Sequence, residues 1–298
     1  MYEISVIVPV YNTQEHISCC IEGLLGQDYP KNNFEVILVD NNSTDNSVAI
    51  AKQYDGIKLL SETKQGSYAA RNCGIKAATG NILAFIDSDC KPEPNWLSSI
   101  ASTMQNSDVS LLLGKRRYAS SGYISSLIEK YEFEKIAYIT NKEIKELYFG
   151  YTNNMAVRRE LFDQLGLFQE RSRGADTTFV RQVVDKFGCQ VVKCISEMEI
   201  LHLEINKVTD YYKKCLTYGK SNQFNCQSNG HRPLLKSENF QVYRLACQRH
   251  KMSYKDQFVL LLTLILGAIS YSSGQYISRA VIQINKLFPK SNLKQDVV

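Results

Sequence analysis

The chain has 298 residues, 44% of them apolar and 22% charged, which is ordinary for a folded domain and excludes collagen-like, disordered and disulfide-scaffold classes. Nine cysteines, an odd number with no CxxC pair, argue against a secreted disulfide framework or a zinc ribbon and predict free thiols in a reducing cytoplasm. The net charge of +5 is unevenly placed: residues 206–298 carry 14 Lys/Arg against 4 Asp/Glu and so hold +10, leaving −5 on residues 1–205.

At roughly 150 residues per domain, the length suits one large domain with an appendage. The N-terminus MYEISVIVPVYN has neither a basic n-region nor an apolar h-region, so no signal peptide is read there. Strands are predicted at Ile4–Val8, Glu35–Val39, Ile57–Leu60, Ile82–Ile86 and Val109–Leu113, with helices near 14–25, 45–54, 66–78 and 95–106 between them. Asp45 is placed to cap the second helix, and Glu93 opens the fourth behind two prolines. Strands alternating with helices of this length predict an α/β/α sandwich on a mostly parallel, buried sheet. A charge-rich helical stretch at 120–148 reads as an insertion over the cleft. Strand 151–157, helix 173–187 and strand 189–195 form a second α/β piece, and from Asn206 the pattern turns helical and basic. The expected division is therefore 1–205, split into halves 1–113 and 150–205, followed by 206–298.

Ligands of such sheets sit beyond the carboxyl ends of the strands, and here those ends are polar. The first strand leads into Pro9, Tyr11 and Asn12, the second into Asp40 and Asn42, and the fourth into Asp87, Ser88 and Asp89. Two carboxylates at i and i+2 in a strand-end turn suit a divalent Mg²⁺ or Mn²⁺ together with the phosphate oxygens it bridges. An isolated Asp-x-Asp is usually a solvated turn; three polar strand ends side by side favour a site. Neither GxxxxGK[ST] nor GxGxxG occurs, so phosphate charge falls to the metal and to side chains. Asp40 is suited to a base N–H or a ribose hydroxyl, the alternative being a helix cap. Tyr11 offers a ring for a base to stack on.

GSYAARN at 66–72 opens a helix whose N-terminus favours an anion, with Arg71 aimed at the aspartates. Asp176, in the first turn of the 173–187 helix, is either a good cap or a general base for an acceptor hydroxyl. A lone His202 on a strand is by itself an ordinary packed residue, and His16, His231 and His250 have no context that raises them above that.

VIVPVYN at 6–12, EVILVDNNSTDNS at 35–47, GSYAARN at 66–72 and FIDSDC at 85–90 resemble the nucleotide-sugar half of family 2 glycosyltransferases. GYTNNMAVRRELFDQLGLF at 150–168 and the following GADTTFVRQVV resemble that family's acceptor half, so the resemblance spans about residues 3–205. It implies a GT-A fold and metal-dependent, inverting transfer of one sugar from a UDP- or GDP-linked donor, UDP being favoured by family habit. It further implies that Asp40 binds the base, Arg71 the nucleotide, Asp87 the ribose and metal, and that Asp89 coordinates the metal. Asp176 becomes the base, and His202 becomes a second metal ligand. Two departures stand out: Ala175 replaces the Glu that usually precedes the base, and QxxRW is missing, with Gln241 and Arg244 followed by Leu245 and the single Trp at 96. No processive-synthase membrane segments are seen, so transfer of a single sugar is expected.

Residues 206–256 interleave ten Lys/Arg with aromatics ahead of an apolar run of about 14 residues from Phe258. That run is short of the roughly 18–20 residues of a membrane span and reads as a buried or interfacial helix. Basic and aromatic residues beside it predict peripheral contact with an anionic leaflet on the cytoplasmic side, a glycan or lipid-linked acceptor, and no nucleic-acid partner. The rival readings are a non-catalytic nucleotide-sugar-binding protein and a sugar-phosphate nucleotidyltransferase. The latter wants a Gly-rich basic loop where this chain has PVYNTQEH.

Overall fold

Valine, isoleucine and leucine at both odd and even positions of the predicted strands dictate a sheet covered on both faces, and the computed structural model shows one. It describes residues 3–119, 122–204, 208–225 and 232–287, with backbone alone at 221–225 and 282–287. The expected boundary at Ile205/Asn206 and His231 lie outside the described residues.

In chain order the elements are β1 (Ile4–Val10), α1 (Ile17–Leu25), β2 (Phe34–Asp40), α2 (Ser47–Ala51), β3 (Ile57–Ser61), α3 (Ser67–Ala77) and β4 (Ile82–Ile86). Then come β5 (Cys90–Pro92), α4 (Trp96–Met104), β6 (Leu111–Tyr118), α5 (Tyr123–Asn141), β7 (Asn154–Arg158), α6 (Arg159–Leu165), α7 (Ala175–Phe187) and β8 (Val192–His202). Helices α8 (Val208–Asn225), α9 (Lys236–Arg249) and α10 (Tyr254–Leu287) close the chain.

The strands form one sheet in the order β3-β2-β1-β4-β7-β6-β8-β5. The pairs β1/β2, β1/β4, β2/β3 and β6/β8 are parallel; β7 runs against both β4 and β6, and β5 against β8. The pleat sorts the core. Ile4, Val6, Val8, Val36 and Leu38 pack with Trp96 and Ile21 on the α1–α4 side. Ile7, Ile37, Val39 and Phe85 pack with Tyr68, Phe162 and Phe179 on the other. Reversal of β7 brings its start to the edge where β1, β2, β4, β6 and β8 end, and this places the site.

Several sequence expectations shift. β6 begins at Leu111 because the Val109 carbonyl accepts from Arg158 Nε at 2.8 Å, outside the ladder. β8 runs on to His202 through a bulge at 196–198, between the Ile195/Gly114 and Glu199/Lys115 pairs, which hid its second half from periodicity. Short β5 and α6 were not predicted. The stretch read as an insertion is part of the body over its described residues: Leu127, Tyr131 and Ile136 of α5 lie in the main core.

The apolar run at 258–271 is the middle of α10, a helix of 34 residues. Within its segment Tyr254–Val281 an 18-residue stretch has a mean hydropathy of 1.6 and is only 22% buried, so the helix is long and apolar enough by length and composition to cross a membrane. Of the two expectations for this run, buried or interfacial, the buried one is corrected: most of its large apolar side chains are exposed. Serines 270, 272 and 273 interrupt the apolar pattern, but each hydroxyl bonds the carbonyl four residues back, at 2.9–3.0 Å, so its polarity is satisfied within the helix.

Candidate active site

The loops after β1 and β2 are stitched to each other before any ligand is considered. Asn12, in a left-handed conformation that asparagine tolerates, accepts from Thr44 N at 2.8 Å through its Oδ1. Thr13 N donates to Ser47 Oγ at 2.8 Å and Gln14 N to Asp45 Oδ2 at 3.0 Å. Asp45 Oδ1 also accepts from Ser47 N at 3.0 Å, at the start of α2. Asp40 turns its own loop by accepting from Ser43 N at 3.1 Å. Asn42, also left-handed, donates to Thr63 O at 2.9 Å, so its amide braces the 63–65 loop. Pro9 is tolerated in an interior strand because its β4 ladder ends at Ile7, while Val10 turns its carbonyl toward Asn41 on the β2 side. Tyr11 remains 51% exposed, with a ring face open to stacking.

Asn41 was not singled out in the sequence and is the strongest brace of this wall. Buried, it donates to Glu62 O and Lys64 O at 2.8 Å each and accepts from Gly66 N at 2.7 Å. Gly66 adopts a φ of +137°, open only to glycine, and leads into α3. One turn on, Arg71, 4% exposed, donates through Nη2 to Asp87 Oδ1, and its buried Nε has no protein partner among the described residues. Ser88 is buried between the two aspartates.

Asp89 faces His202 across the β5/β8 pair, where Cys90 registers with His202. His202 Nε2 lies 3.6 Å from Asp89 Oδ2 and 3.3 Å from Lys214 Nζ of α8. Burial, with Asp87 and Glu204 nearby, pushes the Asp89 carboxyl up to about 7. Burial, with the charges of Lys214 and Arg116, pushes His202 down to about 2. The imidazole is therefore neutral, its metal-ligating form. Its buried Nδ1 has no partner among the described residues.

Donor atoms of Asp89, Cys90 and His202 all lie within 4.8 Å of one another. Burial holds the Cys90 thiol well above its ordinary pKa, and its Sγ–H donates to Asp89 Oδ1 at 3.4 Å. Cys90 thus orients the carboxylate rather than offering a thiolate. A carboxylate oxygen and a neutral imidazole nitrogen fit Mn²⁺ or a similar divalent ion.

Asp176 sits in the first turn of α7, after Gly174 in the left-handed region at φ +80°. Its Oδ1 accepts from Thr177 N at 2.8 Å and its Oδ2 from Thr152 N, at the start of β7, at 3.3 Å. Asp176 N points at Tyr68 Oη at 3.5 Å. Burial raises its pKa in spite of those donors and of Arg71. Phe179, one turn later, stacks on Phe162 at 4.4 Å between centroids and packs edge-on to Phe168, anchoring this end of α7. Ala175 is buried in that core, where a Glu would bury a second charge. Gln241 of α9 accepts from Tyr138 Oη of α5 at 2.7 Å, and Arg244 is exposed, so neither takes part in the strand-end edge.

The chain matches the model of glycosyl transferase family 2 over residues 5–166. It belongs to that family. Among curated relatives it is 37% identical over 208 residues to glycosyltransferase AglE of Haloferax volcanii, covering 64% of this chain and 66% of that one. It is 24% identical over 270 residues to glycosyltransferase GlyG of Streptococcus pneumoniae, covering 72% and 89%. Other relatives are matched over 15–34% of their length, Escherichia coli YibD over 32%. Among solved folds, the mannosyltransferase PcManGT of Pyrobaculum calidifontis, in complex with GDP-Man and Mn²⁺, superposes with a TM-score of 0.61 at 18% identity, covering 98% of this chain and 89% of that one. Staphylococcus aureus TarS 1–349 with UDP-GlcNAc gives 0.52 at 17% identity, covering 94% and 92%. These neighbours establish the family 2 GT-A fold, an α/β sheet with a helical C-terminal layer.

Proposed function

We propose that the protein is an inverting glycosyltransferase that moves one sugar from a nucleoside-diphosphate donor to a hydroxyl of a glycan or lipid-linked acceptor. The observation that carries this reading is the gathering of Asp87, Asp89, His202, Arg71 and the half-buried Asp176 at one edge of one sheet. Relatives and neighbours bearing glycosyltransferase names, two of them with a nucleotide sugar, support it.

In this reading Tyr11 stacks on the base and Asp40 accepts from it, while Asn12 and Asn42 keep the two loops in place. Arg71 and Asp87 fix the ribose end of the donor, and Ser88 sets the spacing of the two aspartates. Asp89 and His202 would hold a Mn²⁺ or Mg²⁺ ion, which when bound supplies neutralisation of the diphosphate leaving group. Asp176 takes the proton from the acceptor hydroxyl as its oxygen bonds to the anomeric carbon. The bond from that carbon to the diphosphate oxygen breaks on the opposite side, so the centre inverts and the nucleoside diphosphate leaves. Thr152 N and Thr177 N aim the carboxylate, and the neutral Tyr68 phenol closes the wall behind it.

Residues 1–205 are read as the transferase domain and 206–298 as a basic helical extension that lies on an anionic cytoplasmic leaflet. Support for the leaflet comes from α10. Phe258, Leu262, Ile265, Ile269 and Tyr276 follow one another by three, four or seven residues along one exposed face, with Phe258 at 67% and Tyr276 at 79%.

Calorimetric titration with UDP and GDP, each with and without Mn²⁺, tests the core of the proposal. One nucleotide should bind, and more tightly with the ion. Asp176→Asn should keep that binding within about twofold and lose transfer by a factor of roughly 10²–10⁴. Full activity in that variant would remove Asp176 from its role.

A further inference from the structure

Helix α8 carries into the site a group that the reaction above does not use. Lys213 points outward and pairs with Asp210 at 3.3 Å. Its neighbour Lys214 turns inward, and its Nζ reaches to within 3.3 Å of His202 Nε2, the nitrogen that also faces Asp89 Oδ2 at 3.6 Å. A neutral imidazole has one free lone pair. With the Lys214 ammonium standing 3.3 Å from Nε2, a metal ion cannot at that moment occupy the same nitrogen. The ammonium and a divalent cation are competitors for one nitrogen, beside a carboxylate whose charge acts on Lys214.

A flexible four-carbon stem lets the ammonium withdraw. Once displaced, it remains beside a cleft whose nearest new anion is the donor's diphosphate. Arg71 is already committed to Asp87, and Lys115 and Arg117 to Glu199.

Resting on the assignment of Asp89 and His202 to the cation, we propose that Lys214 holds these two ligands together when no donor is bound. When the cation takes its place, Lys214 moves onto the diphosphate. It is then a donor-binding residue supplied by the C-terminal helical layer, one that reads the diphosphate rather than the nucleoside.

The test compares wild type with Lys214→Met, which keeps the length of the side chain without its charge, and Lys214→Arg, which keeps the charge. Each is titrated with Mn²⁺ alone, then with UDP, UMP, GDP and GMP in the presence of Mn²⁺. For Lys214→Met we expect Mn²⁺ alone to bind several-fold more tightly. The favoured nucleoside diphosphate should bind about tenfold or more weakly, as loss of a charge-assisted hydrogen bond predicts, and the matching monophosphate should be unchanged. Lys214→Arg should keep diphosphate binding within a few-fold. A merely structural lysine cannot move the two affinities in opposite directions. Unchanged affinities, or Mn²⁺ and diphosphate affinities falling together, overturn the proposal while leaving the site assignment intact. A wild-type protein that binds Mn²⁺ but no nucleotide overturns the assignment of the cleft, and the role of Lys214 with it.

Discussion

Asp176 illustrates how a single residue is both held and tuned. Two backbone N–H groups, from Thr152 and Thr177, fix its oxygens, and burial raises its pKa against their pull. The base works as carboxylate, and protonation of a group with a raised pKa begins at a higher pH. The acid limb of kcat at saturating donor should therefore lie above the ordinary carboxylate value of about 4, with the rate falling as pH drops through it. Asp176→Asn should remove the limb together with the activity; a limb at or below pH 4 in wild type would show that the base is solvated. At this scale most of the candidate site was legible. Asp40, Arg71, Asp87, Asp89 and Asp176 follow strands or open helices, and the strand-end rule points to such positions. Asn41 and Lys214 were not, since a buried amide joining two loop carbonyls and a loop N–H and a lysine folded inward from a basic helix look in sequence like their solvated neighbours.

Among the elements, the crossing of α8 and α10 governs how Lys214 reaches His202. The helices approach until a side chain on either glycine would strike backbone: a Cβ on Gly219 would lie 2.0 Å from Tyr271 O, and one on Gly274 would lie 2.1 Å from Leu216 O. A Cβ on Gly267, seven residues before Gly274, would meet the Tyr211 ring at 3.1 Å. Gly274→Leu must push α8 and α10 apart, which withdraws Lys214 from His202. The expected result is a tightening of Mn²⁺ alone and a weakening of nucleoside diphosphate, in the direction of Lys214→Met. It should come with a loss of stability of about 1–3 kcal/mol, the usual range for overpacking, read by urea denaturation. An unchanged midpoint would show that the helices separate at no cost. Helix α10 also marks where periodicity misleads: serines inside the apolar run shortened it on paper, and their hydroxyls, bonded within the helix, keep it whole in the fold. The bulge at 196–198 did the same to β8.

Considered as a whole, the molecule has two surfaces of opposite character: a mildly acidic body and a basic extension with an exposed apolar helix face. Arg249, Lys251 and Lys255 cluster near the start of α10, where an anionic leaflet would meet them. Co-sedimentation with vesicles containing phosphatidylglycerol should pull the protein down at low salt, with less binding to purely zwitterionic vesicles. Phe258→Glu with Ile265→Glu should reduce recovery at least fivefold while leaving nucleotide binding untouched. Equal recovery of the double variant would turn the apolar face toward some other occupant. The α/β sandwich was legible from strand and helix alternation alone, whereas the reversal of β7 was not, because strand direction is set by pairing partners far apart in the chain.

Every group assigned to donor or base lies at one rim of the sheet, while β1 enters at the other, near the 78–80 turn and the start of β2 at Phe34. The two ends of the polypeptide are thus unequal as attachment points for an experimenter. A purification handle or fluorescent reporter ahead of Ile4 hangs from the far rim, clear of incoming donor. One placed after α10 trails from the helix whose exposed apolar face is proposed to meet lipid. N-terminal fusions are accordingly the ones to use for immobilisation, for labelling and for display on a surface where the cleft must stay open.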